Sequence, residues 1–160
     1  MKVFNKEIEL AFETTLDKFK KLDFTQFKVI GKYDIEQRWI VISDGHPVRL
    51  RTRLKKELSS GTMQYFFTTK FDSTDQMRYE YENEIGAIEY SKLNSEFFIH
   101  SPLIHKIRTI LKEKSTGLVW EFDYYPNCPM DDWNVSIECE FPNEESAQVF
   151  IKPKWLLEIL

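Results

Sequence analysis

The sequence contains few of the residues that interrupt secondary structure or form disulfide bonds. Its 160 residues include 2 cysteines, 5 glycines and 6 prolines. Cys128 and Cys139 have no CxxC neighbour and no histidine at metal-ligand spacing, which excludes a disulfide framework and favours a reducing environment. The scarcity of glycine and proline, and the absence of repeats and low-complexity tracts, indicate no linker between separate domains. We therefore expect one domain over residues 1–160.

Long apolar runs and a large excess of one charge are also lacking. The N-terminal segment "MKVFNKEIEL" has no extended apolar region, so we expect no signal peptide, no membrane association and a cytoplasmic location. The net charge of -4 arises from 22 basic and 26 acidic residues, so composition predicts no affinity for nucleic acids. His46, His100 and His105 form no i, i+4 pair, and we expect them at the surface or in turns.

What the sequence does contain is a series of short β-prone runs. With 42% hydrophobic and 15% aromatic residues it can fill a packed core. Three candidate helices, at about 13–23, 87–98 and 143–150, interrupt the runs without alternating with them, which predicts an α+β fold. Turn-forming clusters separate the runs, as is typical of antiparallel hairpins. These clusters occupy residues 43–47, 59–62, 72–76, 114–117 and 126–134.

Charged side chains share one face of nearly every predicted strand. Because alternate residues of a strand point to opposite faces, each run can be divided by parity. In "EIELAF" the two glutamates share a face with Ala11, and the apolar residues share the other face. The charged sets are Glu7 and Glu9; Arg49, Arg51 and Arg53; Lys70; Arg78, Glu80, Glu82 and Glu84; Lys106, Arg108 and Lys112; Glu121 and Asp123; and Glu138 and Glu140.

Two interpretations of this pattern are open. The first is an ordinary antiparallel sheet with one packed face and one solvated face. However, the signs are sorted by strand, and like charges on neighbouring positions destabilise a sheet unless a ligand or a metal neutralises them. We therefore favour a closed or nearly closed barrel with an outward apolar face and a charged lumen. Carboxylates bind Mg²⁺ or Mn²⁺, and Arg and Lys bind phosphate oxygens, so such a lumen suits a triphosphate.

At these positions the sequence resembles the CYTH family, the triphosphate tunnel metalloenzymes. The resemblance runs from residue 7 to residue 158 and consists of short motifs in the family order. They are "EIE" of the N-terminal ExExK motif, "VRLR", "TTK", "RYEYE", "KIR", "EFD", "ECE", and a final P-x-W with a following glutamate, Pro153, Trp155 and Glu158. The resemblance implies an eight-stranded antiparallel tunnel, flanked by a few helices, in which basic side chains hold a triphosphate.

The resemblance also implies roles for the matching positions. Lys70, Arg108 and Glu138 are the catalytic candidates. For each position the alternative is a structural ion pair, and for Arg53, Glu84 and Lys112, near the strand ends, we expect a solvated position. The implied phosphate ligands are Arg49, Arg51, Lys70, Arg78, Lys106 and Arg108. The implied ligands of Mg²⁺ or Mn²⁺ are Glu7, Glu9, Glu138 and Glu140, supported by Asp123, Glu121, Glu80 and Glu82.

One position departs from the motif, because Ala11 stands where the family has lysine. The loss of that ammonium group weakens the case for catalysis more than the case for binding. The leading hypothesis is metal-dependent hydrolysis of an inorganic, nucleoside or other organic triphosphate. Two alternatives stay open: cyclisation of ATP to cyclic AMP, and binding without turnover of a nucleotide, a polyphosphate or an RNA 5′-triphosphate end. The sequence does not indicate the oligomeric state.

Overall fold

The computed structural model describes residues 5–43, 45–73 and 77–160, which form eight strands, four α-helices and a short 3-10 helix at Phe24–Gln26. The predicted turn at 72–76 lies partly outside these residues, and so does Asp44 of the turn at 43–47. The strands are β1 (Asn5–Thr14), β2 (Phe27–Val41), β3 (Val48–Glu57), β4 (Met63–Asp72), β5 (Met77–Ile85), β6 (Ile104–Glu113), β7 (Val119–Tyr124) and β8 (Val135–Glu140). The helices are α1 (Leu16–Phe19), α2 (Ala87–Glu96), α3 (Glu144–Gln148) and α4 (Lys154–Ile159).

The strands form a closed barrel. Their hydrogen-bonded order is β1-β5-β4-β3-β2-β6-β7-β8, and β1 with β8, β3 with β4, and β6 with β7 run antiparallel. This confirms the predicted α+β fold with an eight-stranded antiparallel barrel.

Glycines with positive φ form three of the predicted turns. Gly45, Gly61 and Gly117 have φ of 75°, 73° and 74°, a region in which a side chain would be strained. The backbone N–H of Gly61 donates to the carbonyl of Glu57 at 2.8 Å, and that of Gly117 donates to Glu113 at 2.8 Å. The turns predicted at 59–62 and 114–117 therefore join β3 to β4 and β6 to β7.

Two compact units make up the chain, one of Met1–Glu7 with Asp34–His105 and one of Ile8–Tyr33 with Lys106–Leu160. In the first unit α2 packs on β3 and β4. Thr52 Oγ1 donates to Asn94 Oδ1 at 2.6 Å, and the Tyr65 and Tyr90 rings lie 5.1 Å apart. The expectation of a single domain stays a prediction.

The second unit has an aromatic core centred on the C-terminal helix. The ring of Trp155 in α4 lies 4.8 Å from Trp120 and 5.2 Å from Phe27. Glu113, which is buried, accepts hydrogen bonds from both indole nitrogens, at 3.3 Å from Trp120 and 3.1 Å from Trp155. The apolar face of β7 therefore packs on a helix, as the parity of this strand predicted.

The helix prediction is right at two of three positions. Helix α2 matches the predicted 87–98, and α3 matches 143–150, with the Asn143 side chain capping it by accepting from the Ser146 N–H at 2.7 Å. The helix predicted over 13–23 is wrong, because β1 continues to Thr14 and α1 covers a single turn. Thr14 Oγ1 donates to the carbonyl of Ile159, a tertiary contact that keeps this residue in the strand.

Helix α4 was not predicted. Pro153 precedes it with an extended backbone, and Trp155, Leu156 and Ile159 are buried on one side of it. None of the helices in the described part of the chain is long and apolar enough to span a bilayer.

Candidate functional site

Strand register places the charged residues of the first unit in rows. In the pairing of β3, β4 and β5, Arg49 lies opposite Lys70 and Lys70 opposite Glu80. One row further along, Arg51 lies opposite Thr68, which is itself opposite Glu82. Residues that lie opposite each other in an antiparallel pair share a face. The register therefore confirms that the basic and acidic residues of these strands share one face.

Most of the cations in these rows contact acids. Arg51 is 3% exposed, and its Nη2 lies 3.2 Å from Glu82 Oε2 and 3.3 Å from Thr68 Oγ1. Lys70 Nζ lies 2.9 Å from Glu80 Oε2 and 3.2 Å from Glu7 Oε2. These acids are placed as counter-ions to the predicted phosphate ligands.

Glu80 stays ionised in spite of its burial. Burial alone would raise the pKa of this carboxyl, but the charge and hydrogen bond of Lys70, with the charge of Arg51, outweigh it and hold the pKa below the ordinary value. The carboxylate is therefore already balanced by cations. This makes Glu80 a stronger candidate for holding Lys70 in place than for binding a metal.

Asp72 joins two of the predicted phosphate ligands and was missed in the sequence. Its Oδ1 lies 3.0 Å from Arg49 Nη2 and 3.2 Å from Arg78 Nε. Asp72 lies two residues after Lys70 on β4, so alternation places both side chains on the same face. The sequence pattern predicts a turn at 72–76, and Asp72 therefore was not among the candidate site residues. A carboxylate that accepts from two guanidinium groups occupies a position suited to an anion.

Strand β2 supplies two further residues to this face. Gln37 Oε1 accepts from Arg53 Nε at 3.1 Å and from Arg53 Nη2 at 2.9 Å. The Trp39 ring lies under both Arg49 and Arg51. The parity rule would have assigned the charged residues Glu36 and Arg38 to this face. Because β2 places its neutral residues there, sequence reasoning missed them.

The second unit has its own buried ion cluster. Asp123, 1% exposed, accepts from Lys106 Nζ at 2.6 Å and from Arg108 Nε at 2.7 Å. Arg108 Nη1 also lies 2.9 Å from Glu121 Oε2. Burial alone would raise the pKa of Asp123, but Arg108 and Lys106 hold it well below its ordinary range. Burial would lower the pKa of Arg108, and Asp123 raises it above its ordinary value instead.

Glu138 has a different environment from these paired acids. It lies opposite Glu121 on β7 and opposite Ala11 on β1. Burial and the nearby charge of Glu9 raise its pKa above the ordinary value, against the effect of Lys106. Glu9 in turn lies opposite Glu140. Glu9, Glu121, Glu138 and Glu140 therefore place acidic side chains at neighbouring positions of β1, β7 and β8. A bound cation would stabilise such an arrangement.

The predicted metal ligands thus divide into two groups. Among the described ranges, no group of three or more His, Cys, Asp or Glu side chains is placed to hold a metal ion. The metal role of each predicted ligand stays a prediction. Ion pairs place Glu7, Glu80, Glu82, Glu121 and Asp123 beside basic side chains. The strand register places Glu9, Glu138 and Glu140 opposite or beside other acidic positions.

Three residues near strand ends test the expectation of solvated positions. Glu84 and Lys112 are exposed, as predicted. The expectation is wrong for Arg53, which is 7% exposed because Gln37 covers its guanidinium. Among the histidines, His105 lies in β6 and not in a turn, with Nε2 2.8 Å from Asp34 Oδ1.

A separate cavity of about 550 Å³ lies beside α2 in the first unit. Glu36 and Arg38 of β2, Tyr65 of β4, and Tyr90 and Asn94 of α2 contribute to its lining. None of the predicted phosphate ligands is among the described residues that line it. This cavity is therefore distinct from the charged rows.

Several solved structures resemble this chain. The inorganic triphosphatase NE1496 is 24% identical with a TM-score of 0.52, over 93% of this chain and 85% of that chain. The PH1819 protein of Pyrococcus horikoshii is 19% identical with a TM-score of 0.65, over 89% and 82%. HpAC1 of Hippeastrum, an adenylyl cyclase candidate that reveals a dominant triphosphatase activity, is 14% identical with a TM-score of 0.55, over 89% and 82%.

These similarities show that the barrel is the fold of these proteins. No family model matches the sequence, and no curated protein matches it significantly.

Proposed function

We propose that this protein is a member of the CYTH family that binds a triphosphate through its basic strand faces and hydrolyses it with the help of a divalent cation. One observation carries the proposal most directly. The Nε of Arg49 is buried and has no hydrogen-bond partner among the described residues. A buried N–H of a guanidinium group requires an acceptor, and a phosphate oxygen would supply one.

The positions of the basic side chains on the strands also favour a triphosphate as the ligand. Arg49, Arg51 and Lys70 of the first unit lie on one sheet face at adjacent register positions. Lys106 and Arg108 form a second basic pair within the other unit. With Arg78 they are the proposed phosphate ligands. The triphosphatases among the solved structures, NE1496 and HpAC1, support triphosphate as the ligand class.

The acidic group of the second unit fits a hard divalent cation. Glu9 and Glu138 offer carboxylate oxygens, and burial together with the charge of Glu9 raises the pKa of Glu138. Mg²⁺ is commonly held by one or two carboxylates together with substrate phosphates, so a ready-made cage is not required. We propose that one or two of Glu9, Glu138 and Glu140, together with phosphate oxygens of the substrate, hold Mg²⁺ or Mn²⁺, which when bound would neutralise charge on the phosphate chain.

The protein's part in such a reaction is positioning and charge neutralisation. Lys70 and Arg108 are the proposed catalytic cations, since each has N–H groups that can bind a phosphate oxygen as charge develops. Glu138, with its raised pKa, is the proposed group that accepts a hydrogen bond or a proton from water. Asp123, Glu80 and Glu82 then serve to hold the cations in place.

Two alternatives remain. Cyclisation of ATP would use the same phosphate ligands, and HpAC1, one of the similar structures, is an adenylyl cyclase candidate with a triphosphatase activity. Binding without turnover is favoured by Ala11, which leaves Glu138 facing a methyl group where the family motif has an ammonium group.

A phosphate-release screen separates the three. Wild type would be tested with inorganic tripolyphosphate, ATP and GTP, with Mg²⁺ or Mn²⁺, while pyrophosphate and cyclic nucleotide are also measured. The proposal expects metal-dependent phosphate release. Pyrophosphate with cyclic AMP from ATP would establish the cyclase instead, and tight binding with no product from any substrate would establish a binding protein.

Variants connect the activity to this site. Glu138→Gln is expected to abolish metal-dependent release while the urea midpoint stays at or above that of wild type, because the change removes a carboxylate whose ionisation is disfavoured. Glu96→Gln, at an exposed position of α2, is the matched control and should retain full activity. Full activity in Glu138→Gln would refute the role of this residue.

A further inference from the structure

We infer that β2 is a positioning strand: Gln37 and Trp39 hold the three arginines of β3 by contacts that leave their positive charge intact. Arg53 is held by Gln37, and Arg49 and Arg51 are held by Trp39. This inference rests on the proposed anion-binding function and adds two residues to it that none of the motifs above includes.

The contact between Gln37 and Arg53 is buried and bidentate. Gln37 is 4% exposed and Arg53 is 7% exposed. One amide oxygen accepts from both Nε and Nη2 of the guanidinium, at 3.1 Å and 2.9 Å. This neutral acceptor therefore constrains the orientation of the guanidinium group. The charge of Arg53 still reaches its surroundings, since it contributes to the lowered pKa of Glu80.

Trp39 contacts two arginines at once. The guanidinium carbon of Arg49 lies 5.1 Å from the centroid of the Trp39 ring, and that of Arg51 lies 5.0 Å from it. Both distances are within the range of a cation-π contact, which is strongest on tryptophan. One ring thus constrains the guanidinium groups of Arg49 and Arg51, which are two residues apart and lie on the same face of β3.

Neutral contacts differ from the carboxylate contacts on the same face. Asp72 and Glu82 also orient Arg49 and Arg51, but each adds a negative charge that opposes the approach of an anion. An amide oxygen and an indole ring add no charge. Residues of this kind orient neighbouring arginines without adding to the carboxylate charge already on this face. That combination is what a polyanion such as triphosphate needs.

The test isolates charge from geometry at Gln37. Gln37→Glu keeps the size of the side chain and an oxygen that can accept from Arg53, but adds one negative charge. We expect the affinity for inorganic tripolyphosphate, measured by calorimetry without divalent cations, to fall about tenfold, as expected for one charge at short range. Gln148→Glu, an exposed residue at the end of α3, makes the same change in net charge and should leave the affinity unchanged.

The test at Trp39 isolates the aromatic face. Trp39→Leu keeps an apolar side chain and should weaken tripolyphosphate binding about tenfold, while Trp39→Phe keeps a ring face and should recover part of the loss. If turnover is measurable, the losses should appear in KM and not in kcat. Equal affinities for wild type, Gln37→Glu and Trp39→Leu, in variants with native unfolding midpoints, would overturn the inference.

A measurement without ligand separates this inference from the proposed function. The Nε–H of Arg53, bonded to Gln37, should exchange slowly with solvent in NMR spectra of wild type and rapidly in Gln37→Leu. If wild type binds no tripolyphosphate, the proposed function fails, and slow exchange would still support the holding of Arg53. If wild type binds tripolyphosphate but Arg53 exchanges equally fast in both proteins, the positioning role fails and the function stands.

Discussion

Ala11 lies directly opposite Glu138 in the pairing of β1 with β8. On its other side Glu138 lies opposite Glu121. A carboxylate whose pKa is already raised by burial and by Glu9 therefore has a methyl group as one neighbour and a carboxylate as the other. A lysine at position 11, as in the family motif, would place an ammonium group on this row. The departure from the motif at position 11 thus leaves Glu138 without an ammonium group opposite it in the strand pair.

Replacement of Ala11 by lysine should stabilise the fold. Because Glu138 has a raised pKa, its ionisation costs stability as pH rises above the unfolded value near 4.5. Ala11→Lys should relieve this cost by about 0.2 to 1 kcal/mol, the range of cross-strand charge pairs. Urea unfolding without divalent cations should show the gain at pH 7 and its progressive loss as falling pH protonates Glu138, whose pKa lies above the ordinary value.

Ala11→Met is the matched control, with a side chain of similar length and no charge. Equal stability of the two variants at pH 7 would contradict the charge pair. The same lysine should raise phosphate release about tenfold or more if the native protein is a weakened enzyme, which corresponds to about 1.4 kcal/mol.

Asp123 should dominate the acid sensitivity of the second unit. Its pKa is lowered in the folded state, so its stabilising effect is present above the unfolded value near 3.8 and is lost as pH falls further. Asp123→Asn leaves Lys106 and Arg108 without their buried partner and should cost about 3 to 5 kcal/mol at pH 7. The difference from wild type should narrow below pH about 3.8.

Asp72→Asn serves as the comparison in the first unit. Asp72 also contacts two cations, but its side chain is 38% exposed, so the cost should be below about 1 kcal/mol. Comparable losses for both variants would show that burial does not set the strength of these pairs.

Arg49 should contribute to triphosphate affinity more than to stability. Arg49→Ala should weaken tripolyphosphate binding by about 1.5 to 3 kcal/mol, the scale of hydrogen bonds to charged groups. Arg38→Ala removes the same charge from the opposite side of β2, where Arg38 donates to the carbonyl of Ser101 at 2.6 Å. Calorimetry should find native affinity in the Arg38 variant. An equal loss in both would indicate a general effect of net charge and not a site at Arg49.

The two cysteines should differ sharply in reactivity. Burial, aided by the charges of Glu113 and Glu140, raises the pKa of Cys139 to about 12, so its thiolate is scarce at pH 8. Cys128 is half-buried, and its Sγ donates to the carbonyl of Trp133 at 3.5 Å. A thiol reagent at pH 8 should therefore modify one cysteine in the native protein and two in urea. Cys128→Ser should abolish the native reaction, and two rapid modifications in the folded protein would contradict this assignment.

Alternation along single strands carried much of the prediction. It placed Arg49, Arg51, Lys70 and Glu80 on one face, and the register confirms this because pairing preserves the face. It made no assignment for β2, where Gln37 and Trp39, and not the charged Glu36 and Arg38, contact the arginines. Which face of a strand contacts the arginines depends on the strands that lie beside it. The sequence of one strand does not contain that information.

The helical spacing of apolar residues after β1 also gave a wrong prediction. Leu16, Phe19 and Leu22 have helical spacing, yet β1 extends to Thr14 and α1 is one turn long. The hydrogen bond from Thr14 to Ile159 and the stacking of Phe19 on Phe122 at 4.7 Å come from distant parts of the sequence. Such contacts outweigh a weak helical preference.

The sequence by itself determined the fold class, the turns at Gly61 and Gly117, and the residues that share a face on most strands, because alternation and turn chemistry are local properties. Only the tertiary structure decided what each acid faces. Asp123 and Glu80 form ion pairs with basic side chains, whereas Glu138 lies opposite Glu121 and Ala11 in the strand register. The physical reason is that ionisation depends on the distances between charges on different strands, and register and packing set those distances.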